Sequence, residues 1–151
     1  MNSTNTYVMQ MITELRNTSS TIEKQNIISK YCKAGKEEDN GDQLHARNVL
    51  ALTYNPYLMY GLTSSQVKKR SDLFFGDCEP GYGISQLCHD LNVGRFTGHD
   101  AIKIVNAYIN KFPEQEELVY CILDKDLKTR AGAKIINKVI PNFIPEFSVA
   151  L

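Results

Sequence analysis

The segment from Thr97 to Phe112 constrains the fold of this sequence more than any other. Its apolar residues recur at intervals of three and four with polar residues between them, which is the pattern of a helix with one buried face. Thr97 and Asp100 have the spacing of a capping box, and Pro113 cannot continue the helix. We therefore predict an amphipathic helix whose apolar face comprises Ile102, Val105, Ile109 and Phe112.

Helical spacing also recurs elsewhere in the chain, whereas the period-two alternation of a half-buried strand is not convincing anywhere. Ser20 and Glu23 form a second capping-box pattern, and Asn55-Pro56 ends another helical stretch. Residues 56–83 are predicted to be irregular, with one or two helical turns at most. We predict an all-α protein, a single compact multi-helix domain over residues 1–151, with further helices near Tyr7–Leu15, Ser20–Cys32, Asp42–Leu52, Gly83–Leu91, Glu114–Leu127 and Ala131–Ile140.

Composition limits the classes of function. A chain of 151 residues has the length of one domain, and its formal net charge of zero provides no global attraction to nucleic acid. Any anion-binding site must therefore come from local segregation of charge. The four cysteines form no C-x-x-C pair, which argues against a zinc site or a disulfide framework. With no basic signal-peptide start and no run of roughly 20 apolar residues, we expect a cytoplasmic protein that does not enter membranes.

The segment DLKTRAGAKIINKVIP, from Asp126 to Pro141, has an unusual charge pattern for a helix start. The first turn of a helix normally attracts acidic residues, because its unpaired N–H groups carry partial positive charge. Here the entry holds three cations and small residues that permit close approach of an anion. We interpret the turn as a phosphate site, with solvated surface cations as the alternative. The cations are Lys128, Arg130 and Lys134.

The same segment resembles a known family. Lys125-Asp126-Leu127, the small-residue turn, Ile135-x-Asn137-Lys138-Val139 and Ile144-Pro145-Glu146 resemble the N-terminal DNA-binding domain of ATP-dependent DNA ligases. Phe96-Thr97-Gly98-x-x-Ala101-Ile102 is similar to another helix start of that family, and Ser20-Thr21-x-x-Lys24-Gln25 has a counterpart as well. Within the family, the similarity is greatest to ligases of T-even bacteriophages, in which glycine stands at the position of Arg130.

The resemblance implies a helical domain that grips duplex DNA across the minor groove near a nick, for repair, replication or recombination. The family's other parts are an adenylation domain with a K-x-D-G lysine and an OB-fold domain. This sequence contains no K-x-D-G, so we expect no ligation by this chain alone and no cofactor in it. ATP and Mg²⁺ would serve the catalytic domains, which would be partners in cis or in trans. The cytoplasm would be that of a bacterial host if the chain is phage-encoded.

The resemblance also implies which residues contact DNA. The main set would pair with phosphates or offer backbone N–H groups, and Asn137 would approach a sugar or a base edge. A second set lies at the start of the helix over residues 97–112, and a third at the start of the second helix. The three sets are Lys128, Thr129, Arg130, Ala131, Gly132, Lys134, Asn137 and Lys138; Thr97, Gly98 and His99; and Ser20, Thr21 and Lys24.

Two other classes of function fit parts of the sequence. A helical module that docks a protein partner, such as a replication clamp or the remaining ligase domains, would expose a contiguous apolar patch. A helix-turn-helix regulator would need a longer basic recognition helix than one that ends before Pro141. Cys88-His89 is poorly spaced for one metal ion, and Lys68-Lys69-Arg70 is more typical of a solvated face. Asp126 is expected to cap or orient the basic turn.

Overall fold

The computed structural model describes residues 3–32 and 41–146, with the backbone alone for residues 3 and 4. Over these ranges the secondary structure is helical, without β-strands, which confirms the all-α class. A 3-10 turn at Pro113–Gln115 precedes the seventh helix. The α-helices are α1 (Ser3–Arg16), α2 (Thr21–Cys32), α3 (Gly41–Tyr54), α4 (Ser64–Lys69), α5 (Ile84–Asn92), α6 (Gly98–Lys111), α7 (Glu116–Leu123) and α8 (Ala133–Val139).

The helices form two compact units. The terminal unit contains Met1–Tyr57 and Asp126–Leu151, and the central unit contains Leu58–Lys125. Within the described ranges, no helix is both long enough and apolar enough to span a bilayer.

The core of the terminal unit lies where α1 contacts α2 and α3, and where α2 contacts α8. Full burial of one Leu or Ile side chain contributes about 1.5–3 kcal/mol, so the apolar faces of these helices account for much of the unit's stability. The chain from Leu127 to Ile144 therefore contributes to this core. Its fully buried side chains include Met11, Ile12, Leu15, Ile28, Leu50, Leu127, Ile136 and Ile144.

In the central unit, α6 contacts α4 and α5, and α7 contacts α4. Tyr108, on the buried face of α6, is 1% exposed, and its hydroxyl donates to Oε1 of Gln115 at 2.6 Å. The amphipathic helix predicted over residues 97–112 is confirmed as α6. Val105 and Ile109 of the predicted apolar face are buried, whereas Ile102 and Phe112 are half-buried.

The capping box predicted at Thr97 is wrong. Thr97 precedes α6 with extended backbone, but its side chain accepts no capping hydrogen bond. The N–H of Asp100 instead donates to the main-chain carbonyl of Thr97 at 3.1 Å. Gly98, between them, has a φ of 57°, a left-handed conformation that glycine adopts without strain.

The predicted end of the seventh helix is also wrong. The helix stops at Leu123 rather than Leu127, and Lys125 takes a φ of 59°, which leaves the helical region. The carboxylate of Asp124 accepts from the N–H of Ser64 at 2.8 Å and from its hydroxyl at 2.6 Å. Asp124 thus caps α4 rather than extending its own helix.

Helix α4 lies in the stretch predicted to be irregular. It begins with a capping box in which the N–H of Gln66 donates to Oγ1 of Thr63 and the N–H of Thr63 donates to Oε1 of Gln66. These two bonds satisfy donors that a helix start leaves unpaired. The T-x-x-Q spacing was readable in the sequence, but the helix has only six residues and too few turns to show a period.

Candidate anion-binding site

The loop between Asp126 and Gly132 alternates buried and exposed side chains. Leu127, Thr129 and Ala131 are 0%, 3% and 2% exposed, whereas Lys128 and Arg130 are exposed. The inward side chains anchor the loop to the terminal unit, so that the two cations face outward.

Local hydrogen bonds set the path of this loop. The N–H of Lys128 donates to Oδ1 of Asp126 at 2.8 Å, and the N–H of Ala131 donates to Oγ1 of Thr129 at 3.2 Å. The N–H of Leu127 donates to the hydroxyl oxygen of Tyr54 at 3.2 Å. The prediction that Asp126 orients the basic turn is confirmed. The N–H of Ala131, expected among the anion contacts, is already used within the loop.

Both outward cations adopt a left-handed backbone. Lys128 has a φ of 61° and Arg130 a φ of 57°. For a residue other than glycine this conformation costs about 1–2 kcal/mol. Glycine takes this φ without that penalty. The loop thus has cations at positions whose backbone shape favours glycine.

Two basic side chains from distant parts of the sequence donate hydrogen bonds to main-chain carbonyls of the loop. Arg16, at the end of α1, donates from Nε and Nη2 to the carbonyl oxygen of Leu127 at 3.1 and 2.9 Å. Lys24, on α2, donates from Nζ to the carbonyl oxygen of Arg130 at 3.4 Å. Sequence reasoning placed Lys24 in a third, separate set and missed Arg16, because a bond to a main-chain carbonyl 111 residues away leaves no local pattern.

An open groove of about 530 Å³ separates this loop from the chain that joins α1 to α2. Among the described residues that form its wall, four are cations and none is a carboxylate. The groove therefore has the chemistry of an anion-binding site. It is lined by Arg16, Asn17, Thr18, Ser19, Lys24, Lys128, Thr129 and Arg130.

Lys24 is the most informative residue of the groove. It is only 5% exposed, yet within the described part of the chain the carbonyl of Arg130 is the one hydrogen-bond acceptor of its ammonium group. An ammonium group has three N–H donors, and a buried charge is costly unless it is paired. A bound anion in the groove would satisfy the remaining donors and offset that cost.

The predicted helix that follows the loop is confirmed as α8. Gly132 precedes it without a side-chain cap, and its first turn contains no acidic residue. Lys134 and Lys138 are exposed on its surface. The helix has only seven residues, which is short for a recognition helix and agrees with the argument against a helix-turn-helix regulator.

Asn137 has a structural role within the terminal unit. Its Nδ2 donates to the carbonyl oxygen of Ile144 and to Oε1 of Glu146, each at 2.9 Å, and its Oδ1 accepts from the N–H of Ile144 at 2.8 Å. A contact with a sugar or a base edge would have to replace one of these bonds. We therefore leave Asn137 out of the candidate site.

Ser20 and Thr21 lie just beyond the groove at the start of α2. Ser20 accepts from the N–H of Glu23 at 3.2 Å, which confirms one half of the predicted capping box. In the other half, Thr18 stands between the two capping-box residues. Its hydroxyl donates to the carboxylate of Glu23 at 2.8 Å and accepts from the N–H of Ser20 at 3.2 Å. The hydroxyl of Ser20 is thus occupied as a cap.

The remaining predicted contacts belong to the central unit. Thr97, Gly98 and His99 are exposed at the start of α6. In the basic run at the end of α4, Arg70 pairs with the carboxylate of Asp72 at 3.0 Å, as in a solvated face.

Metal binding has little support among the described residues, where no three His, Cys, Asp or Glu side chains form a group that could hold a metal ion. The four cysteines are buried, at Cys32, Cys78, Cys88 and Cys121.

Comparison with known proteins shows a similar fold but does not assign the chain to a family. No family profile matches the chain, and no curated protein matches it. The solved structure named "Pmar-Lig_PreS3" is similar with a TM-score of 0.63 and 20% identity over 91% of this chain. A second, named "Pmar-Lig_Pre", has a TM-score of 0.56 and 21% identity over 90% of it. The chain spans 31% and 30% of the length of these two proteins, so what is shared is the fold of one part of them.

Proposed function

We propose that this chain binds double-stranded DNA without reading its sequence, as the N-terminal DNA-binding domain of an ATP-dependent DNA ligase. The DNA would be gripped by its phosphates across the minor groove near a nick. The catalytic domains, in cis or in trans, would supply the chemistry with ATP and Mg²⁺. This chain's own contribution would be to position the DNA.

The observation that carries the proposal is the groove beside the 126–132 loop. Among the described residues, four cations line it, one of them the buried Lys24, and none of the lining residues is a carboxylate. In a chain whose formal net charge is zero, such segregation of charge supports a role in anion binding. A strained loop held by Arg16 and Lys24 presents Lys128 and Arg130 in fixed positions, which lowers the entropy lost on binding.

The arrangement suits phosphates rather than bases. Lysine and arginine side chains that meet phosphates release condensed counterions and fix the position of the duplex, but they carry no sequence information. Exposed Lys134 and Lys138 on α8 would extend the contact along the backbone of the DNA.

Two further observations favour a ligase context. The names of both similar structures contain "Lig", and each is similar over about nine-tenths of this chain. The sequence segment that resembles the ligase domain, from Lys125 to Glu146, includes three of the eight described residues of the groove wall. The likeness to one part of longer proteins agrees with a domain that acts beside others.

The proposal is tested by binding of labelled nicked and intact duplexes of two unrelated sequences. Wild-type protein should bind both sequences with equal affinity, and Lys128→Ala with Arg130→Ala should weaken every complex by the same factor. Lys30→Ala is the matched control, because Lys30 is exposed on α2 in the same unit but does not line the groove. Undiminished binding by the double variant, or a strong preference for one sequence, would contradict the proposal.

A further inference from the structure

The central unit contains a small open pocket between the loop that follows α4 and helix α6. Its volume of about 210 Å³ is that of about seven molecules of liquid water, which suits one planar ring system rather than a large ligand. None of the described residues that line it is charged, so the pocket suits a neutral group better than a phosphate. The lining residues are Ser71, Phe74, Asn106, Ile109 and Asn110.

Hydrogen bonds to α6 fix the loop on one side of this pocket. Nδ2 of Asn106 donates to the carbonyl oxygens of Arg70 and Leu73 at 3.1 and 2.7 Å. The N–H of Phe75 donates to a main-chain carbonyl of α6 at 3.3 Å. Phe74 lies between these anchored residues, yet its side chain is 54% exposed. Because the loop is already fixed, little conformational freedom is lost when a ligand covers this ring.

The polar side chains of the pocket have hydrogen-bonding groups that the fold does not use. Asn106 and Asn110 are one turn apart and therefore share a face of α6. The loop uses both amide hydrogens of Asn106, whereas its Oδ1 accepts no hydrogen bond within the described residues. Asn110 and Ser71 are exposed, and their side chains form no hydrogen bond in the described part of the chain. Donors and acceptors are thus available beside an aromatic ring.

We propose that this pocket binds an unpaired base of a DNA strand, stacked against the ring of Phe74. A nucleobase is planar and neutral, and it carries hydrogen-bond donors and acceptors along its edge. Stacking of bases on aromatic side chains tolerates any sequence, because every base has a π-face. The exposed amide of Asn110 can rotate to donate to one base or accept from another. This binding goes beyond the proposed function, whose groove lies in the terminal unit and would contact phosphates.

An apolar side chain of a partner protein would fit the pocket less well than a base. It would cover Phe74 and Ile109, but it would also remove the amides of Asn106 and Asn110 from water without giving them partners. Leaving buried polar groups unpaired opposes binding. A base covers the aromatic ring with its face and offers hydrogen bonds to the amides with its edge.

Adenosine and thymidine test the pocket on the full chain, because they are neutral and contain no phosphate. Either nucleoside should shift the NMR signals of the Phe74 ring and of the Asn106 and Asn110 side-chain amides, whereas ribose should not. N-acetyl-tryptophanamide represents a partner protein. Tighter binding of this compound than of both nucleosides, or nucleoside shifts confined to other residues, overturns the inference.

Phe74→Ala should weaken nucleoside binding about tenfold or more, the effect typical of a lost stack between a base and an aromatic ring. Phe74→Tyr keeps the ring and should keep the affinity. Met59→Ala is the matched control, because Met59 is 72% exposed in the same unit but does not line the pocket. Unchanged nucleoside affinity in Phe74→Ala contradicts the inference.

A duplex with a one-base bulge tests the same contact in DNA. Wild-type protein should bind it more tightly than the fully paired duplex, and Phe74→Ala should remove this difference. Equal affinity of the wild type for both duplexes overturns the inference, and if Lys128 and Arg130 still govern their binding, the proposed function stands. If nucleosides bind at Phe74 but no duplex binds, the proposed function fails and the base site remains.

Discussion

The guanidinium group of Arg16 donates two hydrogen bonds to the carbonyl oxygen of Leu127, although 111 residues separate them in the sequence. This contact ties the last turn of α1 to the loop that carries Lys128 and Arg130. The bond from Lys24 to the carbonyl of Arg130 is a second tie to the same loop, in which Lys128 and Arg130 both have a left-handed backbone.

Removal of this clamp should weaken DNA binding. We expect Arg16→Ala to lower the free energy of unfolding by about 1–3 kcal/mol, because hydrogen bonds to a charged group are lost. Arg47→Ala is the control, because Arg47 donates to the carbonyl of Cys32 at 2.7 Å in the same unit but does not line the groove. Both variants should lose stability in chemical denaturation, and only Arg16→Ala should lose DNA affinity. Equal DNA affinity in the two variants would argue against the loop as the binding site.

Strain and charge at Arg130 are separable by substitution. Arg130→Gly should be more stable than Arg130→Ala by about 1 kcal/mol, because glycine accepts a φ of 57° without the left-handed penalty. Both variants should lose the same amount of DNA affinity, since both lack the guanidinium group. Unfolding curves and binding curves on the two proteins measure the two effects. If Arg130→Gly is the less stable of the two, the backbone at this position is not strained.

Asn137 should affect stability without affecting DNA binding. Asn137→Ala leaves the N–H and the carbonyl of Ile144 without their side-chain partners, which should cost about 1–3 kcal/mol of unfolding free energy. The affinity of the folded variant for DNA and its dependence on salt should match those of the wild type. A loss of affinity in folded Asn137→Ala would restore Asn137 to the interface.

The central unit should lose stability in acid through Asp90. Desolvation raises the pKa of this 2%-exposed carboxyl, but hydrogen bonds from Tyr82, Gln86 and Arg95, with the charge of Arg95, outweigh it and hold the pKa below its usual value. A lowered folded-state pKa means that the stabilisation is complete above the unfolded pKa near 4 and is lost as pH falls through the folded pKa. Asp90→Asn should therefore flatten the dependence of unfolding free energy on pH below about pH 4.

Asp72 is the control for this acid effect. Its pKa is also lowered, by the hydrogen bond from Arg70, but the pair is exposed and such pairs contribute little to stability. Asp72→Asn should leave the pH profile almost unchanged. Identical profiles for Asp90→Asn and the wild type would show that the buried network is not the source of acid sensitivity.

The sequence predicted those features that depend on local periodicity and local charge. The helical period of α6 could be recognised from the residues of that helix alone. Asp126 could be assigned to the basic turn because its hydrogen-bond partner is only two residues away. The end of α7 and the hydrogen bonds from Ser64 to Asp124 could not be predicted in this way, because these two residues are 60 positions apart.

Only the exposed part of the candidate site was predicted from the sequence. Lys128 and Arg130 stood out as cations at a helix start, but their left-handed backbone depends on buried side chains that the pattern did not reveal. Arg16 and the burial of Lys24 follow from contacts between α1, α2 and the loop, which one sequence does not show. Asn137 was predicted to contact DNA because its partners in the protein could not be recognised. They include the main-chain N–H and carbonyl of Ile144, and main-chain groups leave no pattern of residue types in a sequence.

The salt dependence of binding to a nicked duplex tests the central claim most directly. Each phosphate that the protein neutralises contributes about −0.9 to the slope of log affinity against log salt concentration. We predict a wild-type slope of about −2 or steeper, and a slope shallower by about 1 to 2 after replacement of Lys128 and Arg130 by alanine. Lys30→Ala should keep the wild-type slope. A slope near zero for the wild type, or the same slope in the double variant, would contradict the account.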